Sequence, residues 1–273
     1  MSLLLQISDP HFGTDQAPVV EALVALVRAR PPDVLVLSGD ITQRATARQF
    51  RAARDFVQRL AVPSVLVLPG NHDIPLLDLP ARLWHPYARF QRVFGPTLEP
   101  QLETADLLVI GVNTTRAWRH KDGEVSAAQI EQVARQLRRA RDEQLRIVVT
   151  HQPAHVYRDR DRHNLLHGHE RAVHAWAAAG ADLVMGGHIH LPYVRPLRDR
   201  HPALARALWC VQAGTAVSSR IRREAANSVN LLHYDAAASP RQCRIERWDY
   251  AAAGHFEPIE TTAIPLDRGP RVA

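Results

Sequence analysis

The chain reads as α/β, a four-layer α/β/β/α sandwich of two mixed β-sheets flanked by helices. Three observations predict it. Through the first two thirds of the 273 residues, strand-length apolar runs alternate with stretches of helical periodicity, the order that gives parallel strands covered by helices. Past His190 the runs continue with no helix between them, which suggests an antiparallel second sheet packed on the first. No run of 18 or more apolar residues occurs, so no membrane span is expected.

The elements follow in order. Residues 3–7 open as a strand, and 18–30 follow as a helix with Val20, Leu23, Val24 and Val27 on one stripe. Residues 34–37 form a strand, 46–60 a helix and 65–68 a third strand. Residues 74–96, rich in Pro and aromatics, fit neither period. Residues 107–112 are another apolar run. Residues 126–141 read as a helix with Ser126 at its N-cap. Residues 147–149 are a strand, and 152–169, crowded with Arg, Asp and His, again fit neither period. Residues 170–179 are a helix that Gly180 ends, and 183–185 a strand. Residues 193–197, 207–212, 228–234 and 242–248 are the late strands. Residues 261–273 show no periodicity and are expected to be loosely held. One domain spanning 1–273 is expected. The segments 74–96 and 152–169 follow directly on candidate ligand motifs and are expected to overhang the site.

Five of the strands end on metal-type ligands. The first runs into Ser8-Asp9-Pro10-His11, the second into Ser38-Gly39-Asp40, the third into Pro69-Gly70-Asn71-His72-Asp73. The fourth ends on Thr150-His151 and the fifth on Gly186-Gly187-His188-Ile189-His190. Parallel strands present their carboxyl ends on one edge, where ligands bind. A mixture of His, Asp and Asn without thiolate suits Mn, Fe or Zn better than Mg or Ca alone. Gly39, Gly70 and Gly187 read as turn glycines beside the ligands.

The order and wording of these motifs, over roughly residues 2–193, resemble the binuclear metallophosphoesterases, the calcineurin-like superfamily. In size and layout the chain looks most like its bacterial class III cyclic-nucleotide phosphodiesterases. Pro10 departs from many relatives, but it offers no ligand atom. The resemblance implies the same sandwich fold and two metal ions. Asp9, His11 and His190 would hold the first, Asn71, His151 and His188 the second, and Asp40 would bridge them. It implies in-line attack by a metal-bridging hydroxide on a small phosphodiester, a cyclic nucleotide such as cAMP being the first candidate. His72 would stabilise the transition state or protonate the leaving oxygen, and Asp73 would orient it or cap a helix. Two divalent ions, two aspartates and one hydroxide sum to about +1, which favours a singly charged diester unless local arginines alter the count. The alternatives are a nucleotide-lipid or nucleotide-sugar pyrophosphatase, a nuclease, or a scaffold that has lost chemistry. The last would lack ligands, and none is missing.

Further candidates come from neighbouring residues. Asn113 and Arg116 follow the run 107–112, and Arg116 has the geometry to clamp a phosphate. His155, Tyr157 and Arg158 are candidates to contact the leaving group. His163, His167 and His169 resemble a helical metal pair but read as loop residues. Trp84, His85, Tyr87 and Phe90 suit a cap, a dimer surface or plain core packing.

The net charge is +6 with a pI near 10, and Lys121 is the only lysine among 34 basic residues. Most arginines alternate with acids, as solvated faces do. Nothing resembles the aromatic-interleaved basic surface of a nucleic-acid binder, so the expected partner is a small anionic substrate. A homodimer is compatible with the resemblance. The N-terminus carries no leader pattern, and Cys210 and Cys243 form no metal-type pair. A cytoplasmic protein is expected.

Overall fold

In the computed structural model, which describes residues 1–238 and 241–267, the chain begins β1 (Ser2–Ile7), α1 (Ala17–Ala29), β2 (Val34–Ser38), α2 (Ala47–Leu60), β3 (Ser64–Leu68). It continues α3 (Leu79–Trp84), α4 (Ala88–Phe94), β4 (Gln101–Glu103), β5 (Leu107–Gly111), α5 (Ala127–Arg139), β6 (Leu145–Val149). Then come α6 (His169–Ala179), β7 (Leu183–Gly186), β8 (Tyr193–Pro196), β9 (Trp209–Gln212), β10 (Ser228–Asp235), β11 (Gln242–Tyr250) and β12 (Phe256–Pro265). The strands form two six-stranded sheets, ordered β12-β11-β10-β1-β2-β3 and β4-β5-β6-β7-β9-β8.

Residue-by-residue alternation builds the layers. In β1 and β2, Leu4, Val34 and Val36 face the second sheet and meet Leu107, Val109, Ile147, Val149, Leu183 and Met185. Their neighbours Leu5, Leu35 and Leu37 face outward onto α1, α2 and α4. Val148 and Val184 of the second sheet face outward onto α5 and α6, around fully buried Trp176. Strands buried on both faces lose polar alternation and read as continuous apolar runs, as the sequence does here.

The four-layer sandwich of two mixed sheets is the architecture expected, but the late strands are not a sheet of their own. β9 lies parallel to β7, with β8 antiparallel to it. β10 pairs antiparallel with β1, and β11 and β12 continue outward. Each parallel core leaves an open edge of unpaired backbone groups, and the late strands complete both edges. Residues 261–265 are also not loose, because they belong to β12, while 268–273 lie outside the described residues. β12 is an edge strand with Phe256 and Ile264 inward and mostly exposed residues between them. Opposite Arg247 and Trp248 the pairing skips Ile259, an extra residue in β12 that breaks the period that would have marked it.

The segment 74–96 divides. Phe90 of α4 is fully buried, 6.3 Å from Phe50 and 5.4 Å from Phe94 between ring centroids, so α4 packs on α2. Ile74, Leu76 and Arg82 instead line a recess beside Asn71 and His72. No helix among the described residues is long and apolar enough to cross a membrane.

Candidate metal centre

Loops leaving β1, β2, β3, β6 and β7 bring residues of both sheets to one edge. Asp9, His11, Asp40, His188 and His190 all have left-handed backbone, with φ of 50°, 43°, 48°, 71° and 53°. Non-glycine residues held there cost about 1–3 kcal/mol each and concentrate at functional sites. Backbone ties hold them: Asp9 N donates to Gly39 O at 3.1 Å, His11 N to Asp40 O at 3.1 Å and Gly187 N to His151 O at 2.9 Å. Gly39, with φ +98°, needs its freedom. Gly70 and Gly187 lie outside the left-handed region and are needed for space, because a Cβ would overlap Asp40 in one case and Ser8 and Asp9 in the other.

The seven expected ligands converge. His190 Nε2 is 3.2 Å from Asp9 Oδ1 and 3.1 Å from His11 Nε2. His151 Nε2 is 3.2 Å from Asp40 Oδ1 and 3.3 Å from Asn71 Oδ1. The other Asp40 oxygen is 3.7 Å from His11 Nε2, so this carboxylate joins both groups. Asp9/His11/His190 and Asp40/His151/His188 each lie close enough to share an ion, as do His11/Asp40/His72.

The donor chemistry fits two cations. His190 Nδ1 donates to Arg220 O at 2.5 Å and His151 Nδ1 to Ser38 O at 2.9 Å. A carbonyl accepts only, so both Nδ1 atoms carry protons and the Nε2 atoms are left to bind. Asp9 Oδ1 and His188 Nδ1 are buried without a hydrogen-bond partner. Lone pairs crowded in this way need positive charge between them. In the metal-free site, protons supply it. Burial opposes the charged form of His151, yet the Asp40 carboxylate and then Asp9 raise it to about 9. Burial would raise Asp9, but His190 outweighs it and brings the carboxyl down to about 2. His188 and His11 fall to about 4 and about 3, first through burial. Metal loading at such a site exchanges protons for cations.

His72 and Asp73 take separate places. His72 Nδ1 donates to Gln43 O at 3.0 Å, while Nε2 accepts from Arg220 Nη1 at 3.1 Å. The Asp73 carboxylate does not reach the His72 ring; of the two roles expected for it, its geometry is that of the cap, on the 3-10 turn Asn71–Asp73. It is fully buried and accepts from Gly70 N, Ile41 N, Thr42 N and Thr42 Oγ1 at 2.8, 3.0, 2.8 and 2.8 Å. Asp73 thus ties the loop of Asn71 to the loop of Asp40. Asp73→Ala would strand three buried backbone N–H groups at about 1–3 kcal/mol each before relaxation, while Thr42 Oγ1 keeps His72 O as an acceptor at 3.3 Å. We expect the metal-free variant to lose about 3 kcal/mol or more in denaturant unfolding. An unchanged midpoint would remove Asp73 from this role.

The structure does not bring the expected substrate residues here. Arg116 donates to Asn113 O, Thr115 O and Gln129 Oε1 and faces Glu124. Asn113 Oδ1 accepts from Thr115 N and Oγ1. Both residues brace their own loop, and neither lines the basin over the ligands. His155, 1% exposed, lines a different cavity of about 340 Å³ with His169 and His201. Tyr157 stacks edgewise on Tyr193, and Arg158 pairs with Glu224 at 2.6 Å. His167 faces Asp122 at 3.9 Å, and His169 Nδ1 donates to Leu166 O. Among the described residues, these histidines form no grouping able to hold an ion. Tyr87 bonds Thr115, Phe90 is core, and Trp84 is 70% exposed.

The basin, about 470 Å³, is lined instead by His120, Lys121, Asn164, Ile189, Arg220 and Arg222 together with the ligands. Nothing in the sequence around Arg220 sets it apart from the other arginines. The backbone that carries it is tied to the loop after β1, through Gln16 N to Val217 O and Ser219 N to Thr14 O. No local pattern encodes that distant pairing.

Known proteins resemble this chain in sequence or in fold. The chain is 32% identical over 81 residues to a protein of Synechococcus sp. named a probable cyclic nucleotide phosphodiesterase, covering 26% of this chain and 31% of that one. It is 24% identical over 201 residues to a probable glycerophosphodiester phosphodiesterase GpdQ of Arcobacter nitrofigilis, covering 69% of this chain and 71% of the relative. The fold matches a purple acid phosphatase from yellow lupin (TM-score 0.68, 13% identity, 97% of this chain, 54% of that one). It also matches a dimetal phosphatase from Danio rerio (TM-score 0.67, 12% identity, 97% and 99%). Residues 3–192, more than half of the chain, match the family described as calcineurin-like phosphoesterase. With the motifs, the fold and this match in agreement, the chain belongs to the calcineurin-like phosphoesterase family.

Proposed function

We propose that the protein is a binuclear metal-dependent phosphodiesterase acting on a small phosphodiester, with a cyclic nucleotide such as cAMP as the first candidate. The observation that carries this is the pair of ligand groups sharing Asp40 beneath an open, cation-rimmed basin of about 470 Å³, a volume suited to a small ligand. Asp9, His11 and His190 would hold one ion, Asn71, His151 and His188 the other, with Asp40 between them. Mn, Fe or Zn suits the donors. Once bound, such a pair acts as Lewis acid and activates water.

The chain's own residues supply the rest. Asp73 keeps the Asp40 and Asn71 loops in register. Gln43 O fixes the His72 ring so that Nε2 faces the basin, where it is placed to exchange a proton with the leaving oxygen. The names of the two relatives support a diester. The chain spans 31% and 71% of their lengths. Two buried, unpaired thiols, Cys210 and Cys243, support a reducing, cytoplasmic setting. The substrate is the expected partner, together with a second copy of the chain in a homodimer.

A nucleotide-lipid pyrophosphatase is the second reading. It is favoured by Leu77, Leu79, Leu83 and Trp84, exposed by 87%, 62%, 72% and 70% on the segment beside the basin. Both readings meet in one panel. Manganese-loaded protein is assayed on bis(p-nitrophenyl) phosphate, p-nitrophenyl phosphate and cAMP, and thermal shifts are recorded with cAMP and a nucleotide-linked lipid. We expect diester turnover that includes cAMP. Diester turnover without cAMP, together with stabilisation by the lipid alone, would select the second reading. No turnover by fully loaded protein would contradict both.

A further inference from the structure

The basin holds one guanidinium whose charge has no carboxylate partner among the described ion pairs. Arg222 faces Asp161 and Glu224, and Arg116 faces Glu124. Arg220 Nη1 meets only uncharged acceptors, Gln43 Oε1 at 3.0 Å and His72 Nε2 at 3.1 Å, and lies 3.4 Å from His11 Nδ1. Its backbone is fixed independently: Arg220 N donates to Ser218 Oγ at 3.0 Å, and Arg220 O accepts from His190 Nδ1. The backbone after Ser218 thus holds a positive charge, without a carboxylate partner among the described ion pairs, beside His72 at the candidate metal centre. Arg220 also lies beyond residues 3–192, where the family match ends.

We propose that Arg220 is a specificity-determining residue that contacts the phosphoryl group and tunes the site toward doubly charged phosphate. The proposal rests on the phosphoester reading of this site. Its logic is a difference. Whatever charge the ions and the two aspartates leave, Arg220 adds one positive charge and donors within reach of His72. The Coulomb part of that attraction doubles from a monoanion to a dianion, and a guanidinium adds charge-assisted hydrogen bonds to phosphoryl oxygens. Arg220 therefore removes the preference for singly charged diesters suggested by charge counting from sequence. It favours the monoester dianion, whether as product of diester hydrolysis or as substrate. Gln43 and His72 hold the guanidinium until an anion takes its donors.

The test is direct binding, which does not depend on turnover. Titration calorimetry of metal-loaded protein uses inorganic phosphate at alkaline pH, where it is a dianion, and dimethyl phosphate, a monoanionic diester. Elemental analysis is run on each sample. Arg220→Gln keeps an amide able to donate to His72 and removes the charge. We expect about tenfold weaker phosphate binding and about threefold weaker dimethyl phosphate binding, the square-root relation of one charge acting on ligands of charge two and one. Arg220→Lys should recover most of the loss with unchanged metal content. Equal weakening of both ligands, or none, would overturn the proposal. So would failure of the wild type to bind phosphate, or loss of metal in both variants. Arg220-dependent phosphate binding without turnover of any ester would sustain this inference and overturn the proposed function.

Discussion

Asp40→Ala is expected to cost the site at least one of its two ions and nearly all of its activity. Asp40 is the one residue common to the groupings His11/Asp40/His72 and Asp40/His151/His188. Its oxygens reach His151 Nε2 at 3.2 Å and His11 Nε2 at 3.7 Å, and Oδ1 also accepts from His72 N at 2.8 Å. Burial raises its pKa, but the charge and the hydrogen bond of His151 outweigh that and hold it well below the usual carboxylate range. The carboxylate is therefore charged and ready to bridge. Without it, the groups of His11 and of His151 would have no shared anion to hold two cations close together. Metal content should fall from two ions per chain to one or fewer. Diester turnover should fall by about 10⁴-fold or more, since positioning and charge stabilisation are lost at once. Elemental analysis after dialysis and steady-state assay measure both. An Asp40→Ala protein that retains two ions would break the bridging assignment.

His72→Ala has the opposite signature. The ring lies edge-on to His11, 4.8 Å between centroids, but its Nδ1 is committed to Gln43 O. Asn71, His151 and His188 keep their places without it. The variant should hold two ions per chain and lose about 10²–10⁴-fold in kcat, the range for a positioned acid–base group. The loss should be smaller for p-nitrophenyl esters than for cAMP, because a good leaving group needs less help from an acid. A uniform loss across leaving groups would recast His72 as a charge stabiliser of the phosphoryl oxygens. Full activity would exclude it from the chemistry.

Much of this site was legible because it is local. Each ligand follows a strand by two to four residues, and a strand buried on both faces announces itself as an apolar run, so Asp9, Asp40, Asn71, His151 and His188 could be placed on one edge. What failed depends on where side chains turn in three dimensions, at short and long sequence separation alike. Arg116 looked free in sequence but is bound by Asn113, Thr115, Gln129 and Glu124. Arg220 looked like one more arginine and is bound to the ligand loops by strand-like pairing with residues 14–16. Asp73 stands next to His72 in sequence, but a 3-10 turn over Asn71–Asp73 sends the two side chains in different directions. In the fold, β12 escaped notice because an edge strand needs only one apolar face, and the register shift within it hides even that one.

The central claim is that seven residues build one two-ion site around Asp40. Crystals grown with manganese, measured at the metal's absorption edge, test it most directly. The account requires two anomalous peaks about 3.5–4 Å apart, one among Asp9, His11 and His190, the other among Asn71, His151 and His188, with Asp40 touching both. A single peak, or a stronger one in the cavity of His155, His169 and His201, would contradict it.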